Sequence, residues 1–360
     1  MLIEVPDGHD FTPLKRDLIV RAHELDLKIK FSPVSAEAFD QWVRAQGKFR
    51  FIITVLGREI TAEQFASITE AVSRHSFNID VIERLSGRLS LTGRQDANAC
   101  VELQISGVSD SSPGLRAELL EFAHRFDIDI AFQRESIYRR NRRLFVFDMD
   151  STLIEGEVID ELAKLHGVGE KVSAITAAAM QGELDFKQSF SRRVALLAGL
   201  PESRLDEVLR TIPLAGGAER LIQSLKLLGY KTAVLSGGFT FFGRHLQERL
   251  GLDYVFANEL EIANGAVTGR VVGEIVDGKK KAELLGMLAK KENISVDQVV
   301  AVGDGANDLP MLNLAGMGIA FHAKPLVRQS AGHSVSHLGL DALLYLIGVR
   351  DRDLDAAEFR

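Results

Sequence analysis

The sequence predicts an α/β protein in which a mainly parallel sheet carries a helical insert and follows a smaller α+β region. Two patterns predict this fold class. Before residue 140, strand-like and helical segments follow the order β-α-β-β-α-β, the order of a small split β-α-β sandwich. After residue 144, short apolar strands alternate with helical segments, as in a parallel sheet. The length of 360 residues agrees with two regions, because a single core seldom grows so large.

The smaller region is predicted to cover residues 1–138. Its segments are, in chain order, a strand at Phe49–Leu56, a helix at Ala62–Arg74, strands at Phe77–Leu85 and Asn98–Val108, a helix at Pro113–Phe126 and a strand at Ile128–Phe132. Residues 1–45 add an amphipathic stretch, Leu14–Leu25, and a short apolar piece, Leu27–Phe31. They are either a degraded copy of the same unit or an extension of it, and the sequence leaves both readings open.

A basic run, Arg139-Arg140-Asn141-Arg142-Arg143, separates the two regions and is predicted to be a linker. Such a run is more often a solvated connector than a contact with nucleic acid. The net charge of −7 points the same way, because phosphate backbones recruit basic surfaces.

The larger region is predicted to cover residues 144–350. Its strand candidates are Leu144–Phe147, Lys231–Leu235, Gln298–Val302 and Gly318–Phe321. A helical insert at about Val158–Leu214 follows the first strand, and a second interruption spans Tyr254–Asp277. The latter contains Asn264-Gly265 between two strand-like runs, which indicates a hairpin because a tight turn needs positive φ at both central residues.

The sequence also indicates the cellular compartment in which the protein functions. No apolar run approaches the roughly 18 residues of a membrane span, and the first residues lack the basic and apolar segments of a signal peptide. Cys100 is the single cysteine, which excludes an internal disulfide and fits a reducing compartment. We therefore expect a soluble, cytoplasmic protein with no membrane partner.

Carboxylates appear where two predicted strands end. Phe145-Val146-Phe147 leads into Asp148-Met149-Asp150-Ser151-Thr152, and Val299-Val300-Ala301-Val302 leads into Gly303-Asp304-Gly305-Ala306-Asn307-Asp308. An unpaired buried carboxylate is costly, so such acids are paired or bind a metal. Ligands of open α/β sheets bind beyond the carboxyl ends of the strands. Both acidic segments are therefore candidates for one site.

Two further segments offer groups for an anion. Ser236-Gly237-Gly238-Phe239 follows the strand that ends at Leu235 and reads as a turn with a hydroxyl and backbone N–H groups. Lys279-Lys280-Lys281 precedes the helical Ala282–Lys290. Each segment alone is common in proteins. Their occurrence with two acidic segments on one predicted sheet favours a single site.

These residue types fit phosphoryl transfer. An aspartate can attack phosphorus and form an aspartyl-phosphate, and Mg²⁺ with a lysine neutralises the repulsion between the two anions. A second carboxyl two residues on can protonate the leaving alkoxide and then activate water. The serine and glycine groups would hold the phosphoryl oxygens in line. The sequence has no Gly-x-x-x-x-Gly-Lys-Ser/Thr loop, which argues against an NTPase of that kind.

The four motifs resemble those of the haloacid dehalogenase superfamily, whose fold is a Rossmann-like core with a helical cap. Over residues 144–349 the chain looks most like the phosphoserine phosphatases of that superfamily. The strings that carry this closer resemblance are Gly182-Glu183-Leu184-Asp185-Phe186, Ser191-Arg192-Arg193-Val194 and Ala320-Phe321-His322-Ala323-Lys324-Pro325. The resemblance implies hydrolysis of O-phosphoserine to serine and phosphate, the last step of serine biosynthesis, with Mg²⁺ as the cofactor.

The resemblance also implies roles for individual residues. Asp148 would be the nucleophile and Asp150 the acid and base, and the metal ligands would be Asp148, Asp304 and the backbone carbonyl of Asp150. The residues implied to hold or touch the phosphoryl group are Ser236, Gly237, Lys281 and Asn307, with Asp308 as a supporting group and Lys279 and Lys280 as alternatives to Lys281. In the cap, Glu157 and Arg193 match the residues that bind the ammonium and carboxylate of the substrate, to which their charges are suited.

The smaller region resembles an ACT domain by the order of its elements. Such domains commonly bind amino acids and pair between subunits, so the resemblance implies a homodimer and a serine or other amino acid effector. A purely structural or dimerising role is the open alternative.

Two rival functions follow from the same residues. One is a related enzyme that acts on another small phosphomonoester or passes the phosphoryl group to another alcohol. The other is an amino acid sensor whose phosphatase half is inactive. The complete set of charged residues argues against the sensor, because a decayed site would normally have lost a charge.

Overall fold

The computed structural model describes residues 10–45, 49–87, 98–110 and 112–358. The chain divides into two compact units, residues 1–48 and residues 49–360. In the first unit the chain forms helices α1 (Thr12–Glu24) and α2 (Ala36–Ala45). No strand occurs between residues 10 and 45, and the apolar piece Leu27–Phe31 is irregular. Whether this stretch is a degraded copy of the β-α-β-β-α-β unit or an extension of it stays open. The predicted domain limits, 1–138 and 144–350, remain predictions.

The second unit begins with the predicted α+β arrangement. Its elements are β1 (Phe49–Gly57), α3 (Ala62–Arg74), β2 (Asn78–Arg84), β3 (Ala99–Gly107), α4 (Pro113–Phe126) and β4 (Asp129–Arg134). The antiparallel sheet has the order β2-β3-β1-β4. Buried side chains of β1 and β3 pack with those of α3 and α4, for example Ile53 and Leu103 with Ile68 and Leu115. The element order and both helix limits agree with the prediction.

The remainder of the second unit is a doubly wound α/β core. Its elements are β5 (Leu144–Phe147), α5 (Val158–Leu165), α6 (Gly169–Met180), α7 (Phe186–Ala195), α8 (Ser203–Thr211), α9 (Ala218–Leu227), β6 (Lys231–Phe239), α10 (Thr240–Leu250), β7 (Tyr254–Ala263), β8 (Ala266–Val272), α11 (Gly278–Lys291), β9 (Val299–Gly303), α12 (Leu309–Leu314), β10 (Met317–Phe321), α13 (Pro325–Ser330), β11 (His333–Val335), α14 (Leu343–Leu346) and α15 (Asp351–Glu358).

The core sheet has the order β11-β10-β9-β5-β6-β7-β8, and its strands are parallel except for β8. From β5 the chain moves outward through β6 to β8 and then returns to β9 on the other side of β5. The strand order therefore reverses between β5 and β9. The crevice beyond the carboxyl ends of these two strands is where ligands of such sheets bind.

The helical insert, α5 to α8, leaves and rejoins the core at one place, where Ile154 and Leu214 form a β-bridge. The insert also contacts the β7–β8 hairpin, because the N–H of Gly199 donates to the carbonyl of Val267 at 2.8 Å. The hairpin turn has φ of 53° at Asn264 and 74° at Gly265, so the predicted Asn-Gly hairpin is confirmed.

The α+β sheet is docked on the core beside β11. The carboxylate of Asp129, at the start of β4, accepts hydrogen bonds from the backbone N–H groups of Ser336 and His337 at 2.7 and 3.0 Å. At the other end of β4, the side-chain amide of Gln133 donates to the carbonyl of Leu346 at 3.1 Å. Hydrogen bonds thus join the two sheets at both ends of β4.

The basic run between the two sheets is not the solvated connector that the sequence suggested. Residues Arg139–Asn141 form a short 3₁₀ helix, and Arg139 is buried in an ion pair with Glu102 of β3. Arg142 is also buried and donates to the carbonyls of Asp297 and Gly316. Arg139 therefore ties the basic run to the α+β sheet and Arg142 ties it to the core, because a buried guanidinium needs such partners.

Two other features differ from the prediction. The strand β6 continues to Phe239 rather than ending at Leu235. The short strand β11 was not predicted, since three residues carry too little pattern. Among the described residues, no helix combines the length and apolarity needed to cross a bilayer.

Candidate active site

The carboxyl ends of β5 and β9 bring two acids together. The strands are adjacent and parallel, with Phe147 opposite Val302, so Asp148 and Asp304 emerge at the same edge of the sheet. One oxygen atom from each of Asp148, Asp304 and Asp308 lies within 4.8 Å of the others. The convergence of Asp148 and Asp304 that the sequence suggested is therefore present in the structure.

Lys281 is the cation of this cluster. Its side chain is completely buried, and its Nζ lies 2.8 Å from Oδ1 of Asp148 and 2.7 Å from Oδ1 of Asp308. Of its two neighbours, Lys280 pairs with Glu274 at 2.6 Å and Lys279 is exposed over 86% of its side chain. The three lysines point in different directions because they occupy successive positions of one helical turn.

The helix that carries Lys281 begins at a capped end. The carboxylate of Asp277 accepts a hydrogen bond from the N–H of Lys280 at 2.8 Å, which satisfies one of the free donors of the first turn of α11. Asp277 also lies 3.2 Å from Nζ of Lys187, on helix α7 of the insert. One side chain therefore fixes the lysine-bearing helix and links it to the insert.

Asp308 supports both Lys281 and the loop after β9. Its Oδ2 accepts hydrogen bonds from the N–H groups of Asp304 and Gly305 at 3.2 and 2.9 Å, while its Oδ1 faces Lys281. A Cβ on Gly303 would lie 2.5 Å from the carboxyl carbon of Asp308, so only glycine fits there. This is the supporting position that the resemblance implies for Asp308.

Asp150 is held by the first turn of the insert. Its Oδ1 accepts a hydrogen bond from the N–H of Val158 at 2.9 Å. The intervening turn is tight, with φ of 56° at Ser151 and 88° at Gly156, and the N–H of Ser151 donates to the carbonyl of Gly156. Burial raises the pKa of Asp150 to about 7. A carboxyl group with that pKa can both donate and accept a proton near neutral pH.

The cluster carries more negative charge than Lys281 can balance. Burial, followed by the charge of Asp308, raises the pKa of Asp148 well above its ordinary value. The same two causes raise the pKa of Asp304 to about 6. Burial lowers the pKa of Lys281, but the two carboxylates beside it outweigh that effect and raise it. Crowded, buried carboxylates of this kind suit a divalent cation, which would relieve their repulsion.

The Ser236-Gly237-Gly238 segment lies inside β6, where the pairing with β7 shifts register, and not in a turn after the strand. Oγ of Ser236 accepts a hydrogen bond from the N–H of Gly238 at 2.8 Å. A Cβ on Gly238 would collide with Oδ2 of Asp150, so the glycine allows the strand to approach that carboxyl group closely.

Two residues near the site were not assigned a role from the sequence. Asn258, which is buried near the middle of β7, donates to the carbonyl of Gly237 and accepts from the N–H of Val276, both at 2.8 Å. The hydroxyl of Thr152 donates to Oδ1 of Asp304 at 3.3 Å. The signal for Asn258 was a single amide after the apolar run Val255-Phe256-Ala257, which is weak without knowledge of the sheet order.

The insert adds one pair of opposite charges. Glu157, at the start of α5, lies 3.6 Å from Arg193 of α7, as measured between Oε2 and Nη1. The side chain of Arg193 is only 10% exposed, and its Nε is buried with no hydrogen-bond partner among the described residues. Asn307, the other residue implied to touch substrate, is half-buried and lies 3.5 Å from Asp308.

Comparisons with known proteins agree with this architecture. Residues 142–316 match the haloacid dehalogenase-like hydrolases, and residues 50–133 match an ACT domain. Phosphoserine phosphatase of Streptomyces coelicolor is 47% identical over 315 residues, which cover 88% of this chain and 74% of the relative. Phosphoserine phosphatase of Mycobacterium tuberculosis is 41% identical over 359 residues, which cover 99% of this chain and 85% of the relative.

The chain belongs to the phosphoserine phosphatase family of haloacid dehalogenase-like hydrolases. A solved structure of a hydrolase of the haloacid dehalogenase family from Salmonella enterica serovar Typhi is 32% identical and covers 83% of this chain and 98% of its own, with a TM-score of 0.71. The predicted fold class, the ACT-like region and the class of phosphomonoester hydrolase are confirmed.

Proposed function

We propose that the protein hydrolyses O-phosphoserine to serine and phosphate through a phosphoryl group carried by Asp148, as the last step of serine biosynthesis in the cytoplasm. The observation that carries this proposal is the convergence of Asp148, Asp150 and Lys281 beside the Glu157–Arg193 pair of the insert. The names of the relatives support the choice of substrate.

We propose Mg²⁺ as the cofactor, because the surplus of buried carboxylates fits a hard divalent cation. Asp148, Asp304 and the backbone carbonyl of Asp150 would hold it. When bound, the ion supplies positive charge that lets a carboxylate approach a phosphate dianion.

The residues of the chain perform two half-reactions. The carboxylate of Asp148 attacks phosphorus, while Lys281 and Ser236 hold the other phosphoryl oxygens. Protonated Asp150 donates its proton to the serine alkoxide as the P–O bond breaks. Water then attacks the phosphoryl group on Asp148, Asp150 takes up the proton of that water, and phosphate leaves.

The insert selects the amino acid part of the substrate. Free phosphoserine carries an ammonium and a carboxylate, which would pair with Glu157 and Arg193 in place of the ion pair that these two side chains form with each other. The unpartnered Nε of Arg193 offers a further donor for the carboxylate. We propose further that Asn307 contacts the phosphoryl group and that Gly237 donates its backbone N–H to it.

The test is phosphate release from O-phosphoserine. We expect turnover with Mg²⁺, none after chelation, and saturable recovery when the ion is restored. Asp148→Asn should lower kcat by at least about 10³-fold, because the amide cannot form the proposed aspartyl-phosphate. Asp206→Asn, which replaces an exposed aspartate on α8, should leave the rate unchanged.

The same assay separates the rivals. Turnover of another phosphomonoester in preference to O-phosphoserine would point to a related enzyme of different specificity. Binding of serine with no phosphate release from any ester would point to the sensor.

For the ACT-like region we propose an amino acid effector, serine being the first candidate, and pairing of two chains into a homodimer. The support is the match of residues 50–133 to an ACT domain. Light scattering would give the mass of the assembly, and a change in phosphate release on adding serine would report the effector.

A further inference from the structure

A cleft of about 310 Å³ lies between the α+β sheet and the amino ends of the core strands. Arg134, at the end of β4, and Arg116, on α4, line one side of it. Arg142, His333 and Gly316 line the other. We call this space the basic cleft.

The basic cleft is separate from the active site. Gly316 comes just before β10 and His333 begins β11, whereas Asp148 and Asp304 follow the carboxyl ends of β5 and β9. Core strands of about five residues hold these two edges of the sheet roughly 15 Å apart.

The basic cleft contains three arginines and one carboxylate, that of Asp297, whose charge acts on Arg142. Among the described residues, none of its three arginines forms an ion pair. Arg116 donates to the carbonyl of Gly332 at 2.8 Å, and Arg142 donates to the carbonyls of Asp297 and Gly316. The one carboxylate in the lining belongs to Asp297 and accepts a hydrogen bond from Oγ of Ser295 at 2.9 Å.

Of the three arginines, Arg134 is the one most available to a ligand. It is exposed, and its guanidinium lies 5.2 Å from the centre of the Phe49 ring. Stacking on an aromatic ring orients a guanidinium without using its five N–H donors. Those donors remain available to an anion in the cleft.

Two buried nitrogen atoms of the lining also have no hydrogen-bond partner among the described residues: Nε of Arg142 and Nδ1 of His333. Most buried polar atoms in proteins are satisfied, so a polar ligand in the cleft would supply partners that these two atoms lack. The cleft is large enough for a small molecule and too small for a macromolecule.

We propose that the basic cleft binds a small dianion, either a dicarboxylate or a phosphate monoester. Both carry paired anionic oxygens that match the forked donors of arginine. Because its walls come from β4 on one side and the core on the other, a bound dianion would strengthen the junction between the two sheets. This proposal does not depend on the identity of the substrate.

The test uses inorganic phosphate and succinate as probes in metal-free buffer, where the active site lacks the cation proposed to neutralise a bound phosphate. Titration calorimetry should show saturable binding of at least one probe to the wild type. Arg134→Gln and Arg116→Gln should each weaken it by about tenfold, since each removes a charged hydrogen-bond donor to the anion. Arg125→Gln, on the exposed side of the same helix α4, is the matched control and should bind as the wild type does.

Binding of phosphate alone would assign the cleft to phosphate monoesters, and binding of succinate alone to dicarboxylates. Arg134 is exposed, so its variant should keep the melting temperature of the wild type without anion. Absence of saturable binding at millimolar probe, or equal binding by wild type and both cleft variants, would overturn the proposal.

Discussion

Lys281 shows how much of the active site depends on a single buried side chain. It lies between Asp148 and Asp308 with no exposure to solvent, so each of its contacts replaces water that the ammonium has lost. The sequence offered three adjacent lysines. The periodicity of α11 decides among them, since only one position of the three faces the sheet.

The active site has more buried carboxylates than Lys281 can neutralise. This excess predicts that two substitutions change the free energy of unfolding in opposite directions in metal-free buffer at neutral pH. Asp148 has a raised pKa in the folded protein, so its ionisation costs stability at any pH above its ordinary pKa. Asp148→Asn removes that cost and should raise the free energy of unfolding by about 1–3 kcal/mol. Lys281→Met leaves two buried acids without their cation and should lower it by about 3 kcal/mol.

Urea unfolding of both variants and the wild type measures these shifts. Added Mg²⁺ should stabilise the wild type more than Asp148→Asn, because a ligand of the folded state adds to its stability. If Asp148→Asn were less stable than the wild type without metal, the account of a repulsive carboxylate cluster would be wrong.

Single residues also mark what the sequence could and could not predict. Asp148, Asp150 and Asp304 stood out because carboxylates interrupt apolar strands, a signal that needs no tertiary structure. Asn258 did not stand out, although it ties Gly237 to Val276, because its partners come from two other segments of the chain. A role that depends on contacts between distant segments of the chain can be identified only from the three-dimensional structure.

At the scale of elements, helix α7 joins the insert to the site. It carries Arg193, which faces Glu157, and Lys187, which pairs with Asp277 of the core. Phe186 packs against Gly237, where a Cβ would lie 2.8 Å from the ring. One helix thus touches the proposed pocket for the amino acid, the strand proposed to hold the phosphoryl group and the cap of α11.

Arg193→Ala tests the role of this helix in specificity. We expect KM for O-phosphoserine to rise by at least about tenfold, because a charged hydrogen bond to the substrate carboxylate is lost. KM for p-nitrophenyl phosphate, which has no carboxylate, should change little. Arg192→Ala, its exposed neighbour, is the control. Equal losses on the two substrates would remove Arg193 from the recognition of the amino acid part.

At the scale of the whole molecule, the junction between the two sheets was the part that the sequence could not predict. The alternation of strands and helices predicted each sheet separately. The docking depends on β11, which is only three residues long, and on the buried pair of Arg139 and Glu102, whose partners lie far apart in the chain. The basic run was predicted to be a solvated connector because the sequence alone does not show which groups its arginines contact.

We expect His333 to make this junction sensitive to pH. Burial, with the charges of Arg116 and Arg142, lowers the pKa of His333 to about 4. The unfolded chain takes up a proton near pH 6.5 and the folded chain does not, so stability should fall as the pH drops from about 6.5 towards 4. At pH 5 this amounts to about 1–2 kcal/mol.

The measurement is the difference in free energy of unfolding between the wild type and His333→Gln at several pH values. The wild type should lose stability relative to the variant between pH 7.5 and pH 5. A difference that does not change with pH would show that His333 titrates normally in the folded protein.

The central claim is that Asp148 accepts the phosphoryl group, and a single turnover tests it most directly. The enzyme is mixed with phosphorus-labelled O-phosphoserine and Mg²⁺, quenched in acid before one turnover is complete, digested and mapped. We expect label on the peptide that contains Asp148, sensitivity of that label to hydroxylamine, and no label in Asp148→Asn. Label on a different peptide, or phosphate release with no labelled peptide at any time, would contradict the account.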